Sequence, residues 1–305
     1  MITLVARHQL RALRRQRVLV ATVGSLLATT VLAGVIGWSS HNTIVRVYND
    51  ATQLLAADGQ PAPPNPFDLK PTLSLLSNMS IYIPLIGALL ALVIGHVAMV
   101  DDKTTGIGRL VFSRPLARRD YIAGKATAAA AVLGITLAAS AVIATVALAL
   151  VNTALPSLAE LARLGLFYAV SWLYLLVFAL VGMVTVLLTP KRSLALLGAM
   201  GVWLVLTFAV PQFTSGLHPT ASLNPVVDPV STSQTFFRIT AKARPVSIAE
   251  QYRAASAQIL ELNPAESGGA TALRVLPIAG ALGALGVAAT SLVGRHDYSK
   301  GSSDD

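Results

Sequence analysis

Six stretches of about 20 residues pass without a single lysine, arginine, aspartate or glutamate, and this leaves the chain few ways to fold. They run Val18 to Trp38, Ile81 to Val100, Ala126 to Val151, Leu164 to Leu188, Leu194 to Phe213 and Val275 to Val293. A bilayer core of about 30 Å is crossed by about 20 helical residues at about 1.5 Å each, so every stretch can span it. A 305-residue soluble domain could not bury this much apolar surface, since 54% of the chain is hydrophobic and only 12% is charged. That charged share is about half of what soluble domains carry. The sequence therefore predicts an all-α integral membrane protein with six transmembrane helices.

The placement of lysine and arginine orients the spans, because short cytoplasmic loops collect them. One side holds Arg7, Arg11, Arg14, Arg15 and Arg17, then Lys103, Arg109, Arg114, Arg118, Arg119 and Lys125, then Lys191 and Arg192, then Arg295 and Lys300. The other side holds Arg46, Lys70 and Arg163. Its longer third loop dilutes Arg238, Lys242, Arg244, Arg253 and Arg274 with Asp228, Glu250, Glu261 and Glu266. Both termini are therefore expected in the cytoplasm, in a multi-pass protein of a bacterial plasma membrane. A net charge of +9 that follows the spans in this way reports membrane orientation rather than nucleic-acid binding. The first apolar run follows five arginines but exceeds a signal-peptide core and is expected to be retained.

Four regions outside the spans have a character of their own. Residues 1–17 place Leu4, Val5, His8, Leu10 and Leu13 partly apart from Arg7, Arg11, Arg14 and Arg15, a basic amphipathic pattern suited to an interfacial helix on the anionic inner leaflet. Ser39 to Ser80 contains Pro61, Pro63, Pro64 and Pro66 and is expected to be an extended excursion over the outer surface. In the extracytoplasmic segment 214–274, Ser247-Ile248-Ala249-Glu250 fits a capping box. Ile248, Tyr252, Ala255, Ile259 and Leu262 follow at helical spacing, which predicts an amphipathic outer helix on the protein or membrane surface, with Arg253 off its apolar stripe. Residues 294–305 are a cytoplasmic tail.

Between the second and third spans, residues 101–125 are more than a basic loop. Val111-Phe112-Ser113-Arg114-Pro115-Leu116-Ala117-Arg118 follows an acidic Asp102 and a turn at Gly106, and the segment closes on Tyr121, Gly124 and Lys125. It resembles the cytoplasmic signature of ABC-2-type transporter permeases, including the type related to the nitrous-oxide-reductase maturation permease. In that signature an acidic residue and a Gly-Thr-Leu-like turn precede a Leu-Leu-Ser-x-Pro-x-x-Arg run ending in Leu-Gly-Lys. Ile107, Gly108 and Ala123 depart from the pattern. Its position between the second and third of six spans matches as well. The resemblance implies a cytoplasmic coupling helix that docks on a separate ATPase, with Asp102, Gly106, Arg109, Leu110, Val111, Phe112, Ser113, Arg114, Pro115, Arg118, Tyr121 and Lys125 as its site. Leu110, Val111 and Phe112 suit an apolar anchor, and Arg109, Arg114 and Arg118 suit carboxylates or carbonyls on the partner. It also implies two ATPase subunits and a second permease copy or a homologous permease, with Gly198 and Gly201 permitting close helix contact.

The chain has no P-loop of its own, because Arg119 stands where the first glycine would be needed before Gly124-Lys125, and Ala126 stands in place of Ser or Thr. It is expected to bind no cofactor, with ATP and Mg held by the partner ATPase. Other partners expected are membrane lipids and an extracytoplasmic protein; nucleic acid is not. A secondary transporter would put ionisable groups within the membrane, and the spans offer only His96, expected to be hydrogen-bonded in helix packing. An intramembrane enzyme would need paired acids, metal ligands or an activated nucleophile. Cysteine is absent, and His8, His41, His96, His218 and His296 show no metal spacing. A scaffold or assembly subunit is the third alternative. Scattered hydroxyls at Ser140, Ser171, Thr185 and Thr207 suit a lipid-like or amphipathic cargo better than a free ion.

Overall fold

The computed structural model describes residues 2–14, 17–62, 64, 71–104, 117–152, 155–189, 191–214, 239–262 and 271–295. Among these the chain is almost wholly helical and contains no strand, and six helices are long and apolar enough to cross a membrane. The helices are α1 (Ile2–Arg14), α2 (Arg17–Ala57), α3 (Met79–Tyr82), α4 (Ala88–Thr104), α5 (Arg118–Asn152), α6 (Leu158–Leu188), α7 (Arg192–Leu204), α8 (Val210–Thr214), α9 (Ile248–Ile259) and α10 (Thr271–Arg295). A π turn at Ile83–Gly87 joins α3 to α4 as one span, and another at Val205–Ala209 joins α7 to α8.

The bundle is built around α6. Its apolar stretch is 83% buried inside the protein, against 11% for α10, and it packs on α4, α5, α7, α9 and α10. Ser157 and Glu160 start it with a complete capping box. The serine hydroxyl accepts from the Glu160 amide at 3.3 Å, and the Glu160 carboxylate accepts from the Ser157 amide at 2.7 Å. Against α4 the packing reaches backbone contact. A Cβ on Gly95 would stand 1.8 Å from the Ala179 carbonyl oxygen, and one on Gly182 would stand 2.2 Å from that of Leu92. Only glycine permits such an approach, the small-residue crossing that membrane helices use where there is no water to drive them together.

Two expectations about the outer regions are corrected. Ser39 to Ala57 is not an extended excursion but the continuation of α2, which runs 41 residues without a break. Ile44, Tyr48, Ala51 and Leu55 recur along it at helical spacing and are half-buried, while Val47 and Leu54 are exposed. The helix stops only at Gly59, where a φ of +69° suits glycine, just before the prolines begin. The outer helix α9 exists with Ser247 as its N-cap, but its capping box is half made. The Ser247 hydroxyl accepts from the Glu250 amide at 3.4 Å, while the Glu250 carboxylate turns to Arg244 at 3.4 Å. Nor does α9 lie on an outer surface. It packs between α6 and α10, with Tyr252, Ala255 and Ser256 fully buried. Arg253, placed off the stripe, has its Nε enclosed.

The N-terminal helix α1 packs on α5, α2 and α4 with Ala6 and Gln9 inward and Arg7 outward. His8, read as part of the apolar face, is exposed.

Candidate coupling site

The segment expected to couple to an ATPase is framed by the end of α4 at Thr104 and the start of α5 at Arg118. Gly106, Arg109, Leu110, Val111, Phe112, Ser113, Arg114 and Pro115 lie outside the described residues, and Asp102 and Arg118 belong to the helices that lead in and out. The remaining two site residues are brought together. Tyr121 is 1% exposed and Lys125 is 2% exposed, both inside the protein.

Lys125 is a three-way junction. Its ammonium donates to Gln9 Oε1 on α1 at 2.6 Å and to the Ala98 carbonyl near the end of α4 at 2.7 Å. It also lies 5.5 Å from the centre of the Tyr121 ring, within cation–π range. A lysine follows here because α5 begins at the membrane boundary, and a long apolar stem carries its charge to the carbonyl end of the neighbouring helix. Gln9 is 3% exposed, and its Nε2 makes no hydrogen bond. Sequence reasoning missed Gln9, since one amide in a basic amphipathic helix carries no signal of burial. The two helices that frame residues 105–116 are thus tied to each other and to α1 by one buried cation, so neither shifts without disturbing the others.

His96 lies on the same side of the bundle, near Arg192. It is 4% exposed, and its Nδ1 is buried without a hydrogen bond rather than satisfied by helix packing.

Hydroxyls pair across the spans elsewhere. Thr30, Ser140 and Tyr168 form a chain joining α2, α5 and α6 through bonds of 2.8 and 3.0 Å. Ser171 pairs with the Tyr252 hydroxyl at 2.9 Å. Ser171 lies about 20 Å along α6 from Leu158, so α9 reaches well into the bundle. Tyr252 also stacks on Tyr174 with ring centres 4.4 Å apart, and Tyr174 packs on Phe178 at 5.1 Å. Burial pushes the Tyr252 phenol above its ordinary pKa, and the hydrogen bond it shares with Ser171 opposes this, so it stays protonated. Beside the middle of α2, a cavity of about 270 Å³ is lined by Ser40, His41, Thr72, Ser77, Asn78 and Asn152. It falls below the range of about 300–1,000 Å³ typical of drug-sized ligands.

A family model described as ABC-2 family transporter protein matches residues 3–296, which takes in all six spans and the segment between α4 and α5. The chain belongs to this family. No curated protein matches it. The ABC-2 permease is a multi-pass membrane protein and the membrane component of an ABC-type transporter. Its residues 105–116 fall inside the matched region, flanked by the Lys125 junction.

Proposed function

We propose that this ABC-2 permease works as the membrane half of an ATP-driven exporter, moving its cargo outward on ATP hydrolysed by a separate subunit. Residues 101–125 act as the coupling segment, with Phe112 seated in a groove of the ATPase and Arg109, Arg114 and Arg118 fixing its register. Both termini face the cytoplasm, and α1 lies along the inner leaflet. Two permease copies, or this one and a homologous partner, assemble with two ATPase subunits that hold ATP and Mg. The observation that carries this reading is the Lys125 junction, a buried tie between the helices on either side of the coupling segment and α1. Such a tie lets motion imposed on the segment reach the spans.

The test is co-purification with the ATPase, together with ATP-driven cargo movement in vesicles, for Phe112→Ala and Arg114→Glu. Truncating a central anchor costs about 2 kcal/mol or more in a protein interface. Both variants should fold, lose recovery of the ATPase and lose transport. Unchanged recovery and unchanged transport in both would refute the coupling role.

A further inference from the structure

We propose that the cavity between α2, the tight helical turn Thr72–Leu76 and the end of α5 binds one uncharged sugar ring. This goes beyond the exporter reading and does not rest on it. Five polar side chains that line the cavity, those of Ser40, Ser74, Ser77, Asn78 and Asn152, make no hydrogen bond among the described residues. Their bonding capacity is unspent and gathered in one place. The walls that hold them are firm. A Cβ on Gly37 would stand 2.8 Å from the Leu75 carbonyl oxygen, so α2 lies directly against the turn. Leu73, Leu76 and Met79 fix the turn to the core, none of them more than 2% exposed. The positions between them, Ser74, Leu75, Ser77 and Asn78, face the cavity instead.

The chemistry of the wall selects the ligand. Serine hydroxyls both give and accept hydrogen bonds, and each carboxamide adds two donors and an acceptor, so the wall matches groups that also do both. Among the described residues, no Lys, Arg, Asp or Glu lines the cavity, which leaves an anion without a counter-charge and a metal cation without carboxylate ligands. A ring of neutral hydroxyls fits. Ile44, Pro71 and Leu75 add an apolar side for its C–H face. At about 270 Å³ the cavity falls just short of drug-sized sites, and a single pyranose ring is a ligand of that smaller scale. Water fills such a wall when it is empty, and a sugar hydroxyl displaces an ordered water at little cost because it reproduces the same hydrogen bonds. Asn152 closes α5 and Met79 opens α3, which puts the cavity where two spans leave the bilayer core. At that level the ring belongs either to a soluble sugar or to a glycolipid headgroup; the two share this chemistry.

The measurement is saturation-transfer difference NMR on the purified permease in phosphatidylcholine nanodiscs, which carry no sugar of their own. Methyl β-glucoside, methyl β-galactoside and methyl α-mannoside are the probes, and glucuronate is the charged control. Saturable binding of a neutral probe is expected, tighter than that of glucuronate. Its affinity should fall about tenfold in Asn152→Leu, which keeps the bulk and removes the carboxamide, and hold in Asn49→Leu on the exposed side of α2. Ser77→Ala, a milder change in the same wall, should weaken binding severalfold with thermal unfolding unaltered. Nanodiscs doped with the diacylglycerol glycoside of the same sugar separate the sources. Loss of the soluble probe's signal assigns the site to a glycolipid headgroup, and an unchanged signal assigns it to a soluble sugar. Absence of saturable binding by all the neutral probes, equal affinity in Asn152→Leu and Ser77→Ala, or glucuronate binding as tightly, overturns the proposal.

Discussion

Lys125→Met isolates the junction beneath the coupling segment, because methionine keeps most of the stem and removes the charge. The substitution deletes two charge-assisted hydrogen bonds, to Gln9 Oε1 at 2.6 Å and to the Ala98 carbonyl at 2.7 Å. Each such bond is worth about 1.5–3 kcal/mol, which gives a gross loss of about 3–6 kcal/mol. Burying the ammonium itself costs several kcal/mol, and that cost disappears with the charge. The net loss should therefore be about 2 kcal/mol, concentrated on α1, where the Gln9 amide is left buried with neither end paired. Gln9→Leu alone strands the ammonium and should also destabilise. The double variant places two apolar side chains together and should cost at least about 1 kcal/mol less than the sum of the single changes. Equilibrium unfolding in mixed micelles gives these energies, and amide hydrogen exchange across Ile2–Arg14 shows where the loss falls. Additivity within about 0.5 kcal/mol, with unaltered exchange in α1, would refute the junction.

Gly95→Ala puts a methyl group 1.8 Å from the Ala179 carbonyl oxygen, a backbone atom that cannot turn aside. It should cost about 3 kcal/mol or more, whereas Gly165→Ala, with nothing within 4 Å, should be silent in the same unfolding assay. Tyr252→Phe removes one hydrogen bond to Ser171 and should cost about 1 kcal/mol, while Tyr252→Ala opens a cavity beside Tyr174 and should cost about 3–5 kcal/mol. Topology is checked by single cysteines in this cysteine-free chain. An impermeant thiol reagent added to intact cells should label Val47→Cys, 62% exposed on α2, and spare Ser113→Cys; the reverse pattern would invert the topology. Ser256, fully buried, is a poor position for that experiment.

The spans were legible because charge-free runs of this length have one destination; five of the six fall within an observed span, and the first, from Val18, begins two residues before its span at Val20. Helix ends were legible where a side chain closes them, as at Ser247, although Glu250 answers Arg244 rather than the serine amide. The outer half of α2 was not. The prolines at 61–66 dominate that region's composition, while the stripe of Ile44, Tyr48, Ala51 and Leu55 was there to be found. Lys125 was picked out by its place in a motif, yet a lysine beside an apolar run reads as an interfacial charge, and its burial depends on the carbonyls of a helix far away in sequence. The depth of α9 was hidden for a similar reason. Tyr252 reads as one position in the apolar stripe of a surface helix until Ser171 and Tyr174 are seen to receive it.

At about 1.5 Å per residue, the 41 residues of α2 measure about 60 Å, twice the thickness of a bilayer core at any modest tilt. About 28 Å of rigid rod, from Ser39 to Ala57, therefore stands beyond the apolar part of the first span. A rod anchored at one end is a lever. Rocking the span by about 10° sweeps the Ala57 end through about 5 Å, a displacement comparable to one helical turn. Small rotations within the bilayer are in this way magnified at the far end of the helix, where they are mechanically easiest to read.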